Sequence, residues 1–427
     1  MSDFEFDTAA IRDLANGKGA FRLNARFWTA RVGFDLERAC YDLVVKDGAI
    51  AEFTRVQAFT GSYDVRIAGP AEGWAKLLQA VPPPRYDDIR FRGLAVGFTL
   101  EGDTIGHVAP YYGAIQDFIA LLREARSGPA PARPIPRAGR RFDSAVGRYL
   151  YIDVDGVQHR LYFEEAGRGD IPLILQHTAG ADSRQWRHVL EDPDYQRRCR
   201  MIAYDLPFHG RSLPPTGVRW WEREYRLTKD FLIKTILALC EGLELDRPAF
   251  MGCSVGGHLA PDLAFLHPDR FRAVIGINAG LATPPPKWSA YDAWDHPRVS
   301  SDWKAAGMMG NSAPTSPEAY RREIGWIYSQ GGPPVLKGDV YYYSYEHDLT
   351  AEQARRIDTS KIGVYLLTGD YDMLAGENGT AELARNIPGA HFQIIPGFGH
   401  FGPAENPDAF MPYLLPVLEK IARTPLC

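Results

Sequence analysis

Phe250-Met251-Gly252-Cys253-Ser254-Val255-Gly256-Gly257-His258 joins two short regular segments. Asp246 to Met251 reads as a strand, and His258 to Leu266 as a helix with an apolar face. Between them stands Gly-x-Ser-x-Gly. A strand that turns straight into a helix must fold back sharply, and the residue at the apex takes strained dihedrals. Gly252 and Gly256 leave out the side chains that would keep strand and helix apart. The turn lifts the Ser254 hydroxyl clear of the sheet, and the helix beneath offers free N–H groups to a developing negative charge. A glycine-rich turn without chemistry is the plain alternative. The strand-to-helix context favours a nucleophile.

Working outward, the segments around this turn repeat one type. Ile171 to Gln176, Met201 to Tyr204, Arg247 to Met251, Ala273 to Asn278, Gly363 to Thr368 and His391 to Pro396 are short apolar runs, as strands buried on both faces should be. Helical patterns fall between and after them, at Tyr225 to Glu241, His258 to Leu266, Gly379 to Asn386 and Asp408 to Ala422. Tyr149 to Val154 and Gln158 to Glu164 form a hairpin through Asp155-Gly156. The alternation predicts an α/β architecture, a mostly parallel sheet with helices on both faces. Ligands of such a sheet bind beyond the carboxyl ends of the strands, where Ser254 sits. Residues 281–349 interrupt the alternation with prolines and aromatic rings, including Trp288, Trp303, Trp326 and Tyr341 to Tyr343. They are expected to form a lid over an apolar pocket.

A serine hydroxyl needs an adjacent base. His400, in Pro396-Gly397-Phe398-Gly399-His400-Phe401-Gly402-Pro403, follows the last strand and precedes the last helix. The base needs an acid to fix its tautomer. Two aspartates compete in Thr368-Gly369-Asp370-Tyr371-Asp372; Asp372, deeper in the loop, is favoured, with Asp370 as a turn or capping residue. An oxyanion hole needs two backbone donors. Val255 N–H is one. The other should come from Gln176-His177-Thr178-Ala179-Gly180, with Ala179 first, Thr178 second, and His177 bracing the loop.

These stretches together resemble the α/β-hydrolase fold superfamily over residues 145–425. "GCSVGG" is similar to its nucleophile turn, "QHTAG" to its oxyanion loop, "DLPFHGRS" to the loop after the next strand, "TGDYDML" to its acid loop and "GFGHFGPAENP" to its histidine loop. The resemblance implies the order Ser254, Asp372, His400 for a catalytic triad. Two departures stand out. Thr178 replaces the usual glycine of the oxyanion loop, and Phe208 replaces a second glycine of the "DLPFHGRS" stretch. Both, with His177 and Cys253, are candidates to shape the pocket. Haloalkane dehalogenases and epoxide hydrolases of the superfamily carry aspartate where Ser254 stands. The implied activity is hydrolysis of carboxylic esters of apolar or aromatic groups. Carbon–carbon bond hydrolysis of diketo compounds, thioester hydrolysis or cofactor-free perhydrolysis on the same triad are alternatives.

The first 126 residues have another pattern. Ala9 to Leu23 reads as helix and turn. Tyr41 to Lys46 alternates and turns at Asp47-Gly48, Ser62 to Ala68 and Arg90 to Val96 read as strands, and Ala71 to Ala80 and Ala114 to Ala125 as helices. "YDLVVKDGAIAEF", "YDVRIAGPAEGWAKLL" and "GLAVGFTLEGD" resemble the sterol carrier protein type two-like domain over roughly residues 25–125. That implies a smaller α+β domain with an apolar cavity. A lipid-binding protein in which this domain does the work, or a homodimer contact, are the competing uses. Residues 127–142, rich in proline and arginine, read as a linker to the catalytic domain at 143–427.

The whole chain sets outer bounds. Its 427 residues suggest two domains, and 45% hydrophobic with 24% charged residues is the composition of a globular protein. A net charge of −5 gives no electrostatic reason to expect nucleic acid. No apolar run approaches a membrane span. The acidic start Met1 to Asp7 is unlike a signal peptide. Five scattered cysteines (Cys40, Cys199, Cys240, Cys253, Cys427) form neither metal-ligand spacing nor a disulfide framework. A cytoplasmic protein without metal or organic cofactor is the expectation.

Overall fold

The computed structural model describes residues 4–90, 93–131, 142–376 and 379–424. Most of the expected linker (132–141), Phe91, Arg92 and Cys427 lie outside them. The chain divides into two units, Met1–Pro134 with His296–Thr315, and Ile135–Asp295 with Ser316–Cys427. Residues His296–Thr315, part of the 281–349 insertion, group with the first unit.

The first unit holds β1 (Ala30–Asp35), β2 (Cys40–Lys46), β3 (Ala49–Val56), β4 (Val65–Ala68) and β5 (Thr99–Gly102) in the order β3-β2-β1-β4-β5. β1 runs parallel to β4, and the other pairs are antiparallel. The helix Ala109–Ser127 buries Tyr112, Ile115, Phe118, Ile119 and Leu122, the spacing of one helical face. Phe118 lies 5.3 Å from Phe34 and 5.1 Å from Phe53, ring to ring, so aromatic side chains fill the interior. Of the expected strand Arg90–Val96, Phe91 and Arg92 lie outside the described residues, and the rest is not strand. Gly93–Val96 forms a 3-10 turn, where a Cβ on Gly93 would meet the Asp88 carbonyl oxygen at 2.6 Å and Leu94 is exposed.

The insertion's contribution to this unit is the helix Asp302–Gly310. It packs on Ala109–Ser127. Trp303 is buried, edge-on to Tyr112 at 5.2 Å, with the Arg90 guanidinium 4.1 Å over its ring. The buried Asp88 carboxylate accepts from Tyr112 Oη (2.6 Å) and Gln116 Nε2 (3.1 Å). A Cβ on Gly310 would lie 2.5 Å from that Gln116 amide and 3.0 Å from the Asp88 carboxylate, so a larger residue there would displace the polar cluster.

The second unit holds β6 (Val146–Val154), β7 (Val157–Ala166), β8 (Ile171–Gln176), β9 (Cys199–Tyr204), β10 (Ala249–Cys253), β11 (Ala273–Ile277), β12 (Gly363–Gly369) and β13 (His391–Ile395). Their order is β13-β12-β11-β10-β8-β9-β7-β6. From β13 to β9 every pair is parallel; β7 and β6 add an antiparallel edge. Every residue of β10 and β11 is buried, whereas β13, at the edge, exposes four of its five. That contrast follows from helices covering both faces at the centre only. Trp186, Leu190 and Tyr195 cluster on one face with Phe410, Leu414 and Leu418 of the helix Pro407–Arg423. Val255–Leu266 packs on β10 and β11 from the other. The helix expected from Tyr225 starts only at Lys229. Thr228 caps it, and Leu227 N–H is held by the Gly338 carbonyl at 3.0 Å, which keeps the preceding residues extended. From β8 the chain goes first to β9 on one side and then to β10 on the other. This reversal opens a crevice at the carboxyl ends of β8 and β10.

Candidate active site

Ser254 stands at the end of β10 with φ 56° and ψ −108°, a backbone conformation that costs energy for any residue with a Cβ. Its N–H bonds the Ile277 carbonyl at 3.0 Å, and its carbonyl accepts the His258 N–H at 2.8 Å, so strand and helix hold the turn from both sides. A Cβ on Gly252 would lie 2.5 Å from the backbone of Gly256, and one on Gly256 would lie 2.6 Å from the Gln176 side chain. No flexible group can yield at Gly252. Gly252→Ala is expected to lose about 3–5 kcal/mol, seen as a Tm fall of roughly 10 °C or as insoluble protein; an unchanged melting curve would remove this account of the turn.

His400 and Asp372 are brought together. His400 Nδ1 and Asp372 Oδ2 are 2.5 Å apart, and Asp372 is buried. The other Asp372 oxygen accepts Leu374 N–H at 2.8 Å, which fixes the carboxylate plane. Asp370 faces elsewhere: its Oδ1 accepts Gly397 N–H at 2.7 Å and braces the start of the histidine loop. Burial raises the Asp370 pKa, with backbone N–H groups pulling against it. Gly399 N–H is held by the fully buried Glu405 carboxylate. The His400 carbonyl accepts from Asn278 Nδ2 at 2.8 Å and from the Cys253 thiol at 2.9 Å. Cys253 precedes Ser254, so the histidine backbone is tied to the ends of β10 and β11. Ser254 Oγ and His400 Nε2 are not hydrogen-bonded to each other; such bonds are often long until substrate is bound. Burial, then the charge of Asp372, push the Cys253 thiol pKa well above its ordinary value, so it stays a neutral donor.

The loop after β8 is equally fixed. Thr178 N–H donates to Gln185 Oε1 at 2.9 Å and is thereby occupied. Thr178 Oγ1 is bonded to Tyr328 Oη. His177 Nε2 accepts Leu206 N–H at 3.1 Å, so its Nδ1 carries the hydrogen and donates to the Thr178 carbonyl at 2.8 Å. Burial first, and the neighbouring His209 second, bring the His177 pKa down to about 4, which keeps it a neutral brace. Ala179 N–H and Val255 N–H, at the first position of the helix, donate to no protein acceptor among the described residues. Phe208 has φ 76°, the region that favours glycine, and its ring lies 4.7 Å from Tyr225. It packs there and bonds none of the residues above.

Three neighbours escaped the sequence reading. Gln185 and Asn278 carry no motif of their own. His258 is one helical turn beyond Ser254, and that spacing was the available signal. Its Nδ1 donates to the Ser254 carbonyl at 2.9 Å, and its ring stacks on Tyr343 at 5.6 Å. Burial, and then His347, push its pKa down to about 3.

The comparisons with known proteins bear on the fold. The family model for the alpha/beta hydrolase fold matches residues 171–407, more than half of the chain, and the chain belongs to that family. It is 34% identical over 121 residues, 28% of this chain and 30% of the relative, to the dihydrolipoyllysine-residue acetyltransferase component of the acetoin cleaving system of Pseudomonas putida. It is 25% identical over 146 residues, 33% of this chain and 48% of the relative, to a 2-hydroxy-6-oxononadienedioate/2-hydroxy-6-oxononatrienedioate hydrolase of Burkholderia vietnamiensis. The chain thus spans about a third to a half of the length of these curated relatives. Among solved structures, a hydrolase from Pseudomonas aeruginosa PA01 aligns with a TM-score of 0.54 at 24% identity, covering 63% of this chain and 98% of that one. An esterase from Thermogutta terrifontis aligns with 0.55 at 19%, covering 65% and 99%. These likenesses are of fold. Among the described residues no helix is long and apolar enough to cross a membrane.

Proposed function

We propose that the chain is a serine hydrolase acting on carboxylic esters with apolar or aromatic groups. The observation that carries this reading is the His400–Asp372 hydrogen bond, on a loop tied by Cys253 and Asn278 to the strand end that bears Ser254. Because Nδ1 is committed to Asp372, Nε2 is the nitrogen left to serve Ser254. Ser254 Oγ attacks the ester carbonyl while His400 Nε2 takes its proton. Val255 and Ala179 N–H groups hold the oxyanion. The tetrahedral adduct collapses, His400 returns the proton to the departing alcohol, and an acyl-Ser254 remains. Water, deprotonated by His400, then releases the acid and restores the serine.

A second reading, hydrolysis of a carbon–carbon bond in a diketo compound, is supported by similarity to the nonadienedioate hydrolase. The same residues would serve it. In the first unit, the sterol carrier-like reading is part of the same proposal, with the difference that aromatic rings occupy the interior.

A fluorophosphonate should attach one label, on the peptide carrying Ser254, and a panel of esters and diketones should show which bond is cleaved. Absence of a Ser254 label on folded protein would reject the reading. Asp372→Asn is expected to lower kcat by about 10⁴-fold through the wrong histidine tautomer, and Asp370→Asn by less than about tenfold. Equal losses would reassign the acid.

A further inference from the structure

The insertion reaches back to the loop after β8. Its helix Val335–Tyr341 carries Asp339, whose side chain is wholly buried. Asp339 Oδ2 accepts Gly180 N–H at 2.7 Å and faces His209 Nε2 at 2.7 Å, and Oδ1 accepts Tyr225 Oη at 3.0 Å. His209 Nδ1 faces the Pro207 carbonyl at 3.0 Å. Both ring nitrogens thus meet acceptors, which suits an imidazolium paired with the carboxylate. Burial alone would lower the His209 pKa, but Asp339 beside it holds it above its ordinary value. Packing closes the same joint: a Cβ on Gly180 would lie 2.8 Å from the Leu336 side chain.

The consequence falls on Ala179. Its N–H points wherever the flanking peptides allow. On one side Thr178 N–H is held by Gln185; on the other Gly180 N–H is held by Asp339, and between them the turn is closed by Ala181 N–H on the Thr178 carbonyl at 3.2 Å. A buried carboxylate that keeps one oxygen on a backbone N–H is a strong, directional restraint.

We propose that Asp339, delivered by the insertion, is the positioning residue of the oxyanion loop, so that the hole is complete only while this helix is seated. The inference rests on the Ser254 reading above. Asp339 touches no reacting atom; it acts through Gly180 on the direction of the Ala179 N–H. An oxyanion donor out of place weakens the transition state and leaves substrate binding almost unchanged, because the bond matters only once charge has developed.

The test compares full-length wild type, Asp339→Ala, Asp339→Asn and Tyr225→Phe. Ester kinetics are measured together with the affinity for phenylboronic acid, which forms a charged tetrahedral adduct on a serine. Asp339→Ala should lose about 10²-fold in kcat with KM within about threefold, and boronate affinity should fall by a similar factor. Asp339→Asn keeps an acceptor for Gly180 without the charge and should fall by about tenfold in both. Tyr225→Phe, which leaves Gly180 held, should stay within about threefold. If Asp339→Ala does not fold, the asparagine variant carries the test. Wild-type kcat in either Asp339 variant, or a kcat loss with unchanged boronate affinity, overturns the proposal. If wild type and Ser254→Ala bind the boronate alike, the Ser254 reading itself has failed and this inference falls with it.

Discussion

Ser254→Ala is expected to lower kcat for the best ester by roughly 10⁵- to 10⁶-fold while leaving the fold intact. The size follows from the chemistry. Without the hydroxyl no acyl-enzyme forms, and what remains is the modest acceleration that an oxyanion hole and binding give to attack by water. The intact fold follows from the structure. The Ser254 side chain caps no helix N–H and makes no hydrogen bond among the described residues, so its removal orphans no partner. Alanine has the same Cβ and meets the same strain at φ 56°. Substrate should still bind with a dissociation constant near the wild-type KM, measurable by calorimetry. Retained turnover, with an unchanged melting curve, would move the nucleophile elsewhere.

Deleting residues 1–131 is the second large effect, and its outcome turns on twenty residues of the insertion. The helix Asp302–Gly310 completes the first unit, with Trp303, Ala306 and Met308 buried. Taking away its partners returns that apolar face to water, at about 2–3 kcal/mol for each large side chain, and strips the Arg90 guanidinium from Trp303. The shortened chain should aggregate or elute as oligomers. Replacing 296–315 by a Gly/Ser linker of equal length in the same deletion should restore a soluble monomer. A soluble, monomeric single deletion with the wild-type melting temperature would refute this account.

Residues 171–407 were legible because their chemistry is local. The strands at the sheet centre are buried on both faces and read as unbroken apolar runs, and Gly252 and Gly256 flank a turn where a Cβ would collide with its neighbours. Asp370 and Asp372 were both visible in their loop; which of them faces His400 is a matter of a turn geometry that two-residue spacing leaves open. Gln185, Asn278 and Asp339 were not legible. Each acts by a bond to a backbone group far along the chain, and an isolated polar letter does not announce that. The same holds for Trp303, whose partners lie nearly two hundred residues before it. Gly93 to Val96 reads as the end of a strand, but Leu94 and Ala95 are exposed and the segment winds into a 3-10 turn.

The divided first unit also sets a timetable for synthesis. Its sheet can form once Gly102 has left the ribosome, but the face of Ala109–Ser127 that receives Trp303 stays open until Thr315 is made. Residues 135–295, about 160 in all, separate the two segments, roughly 8–32 s of elongation. Through that interval β6 to β11 emerge beside an uncovered apolar face, and the nascent chain is at its most adhesive. Growth temperature and chaperone supply should therefore govern the yield of this protein more than the final stability of either unit.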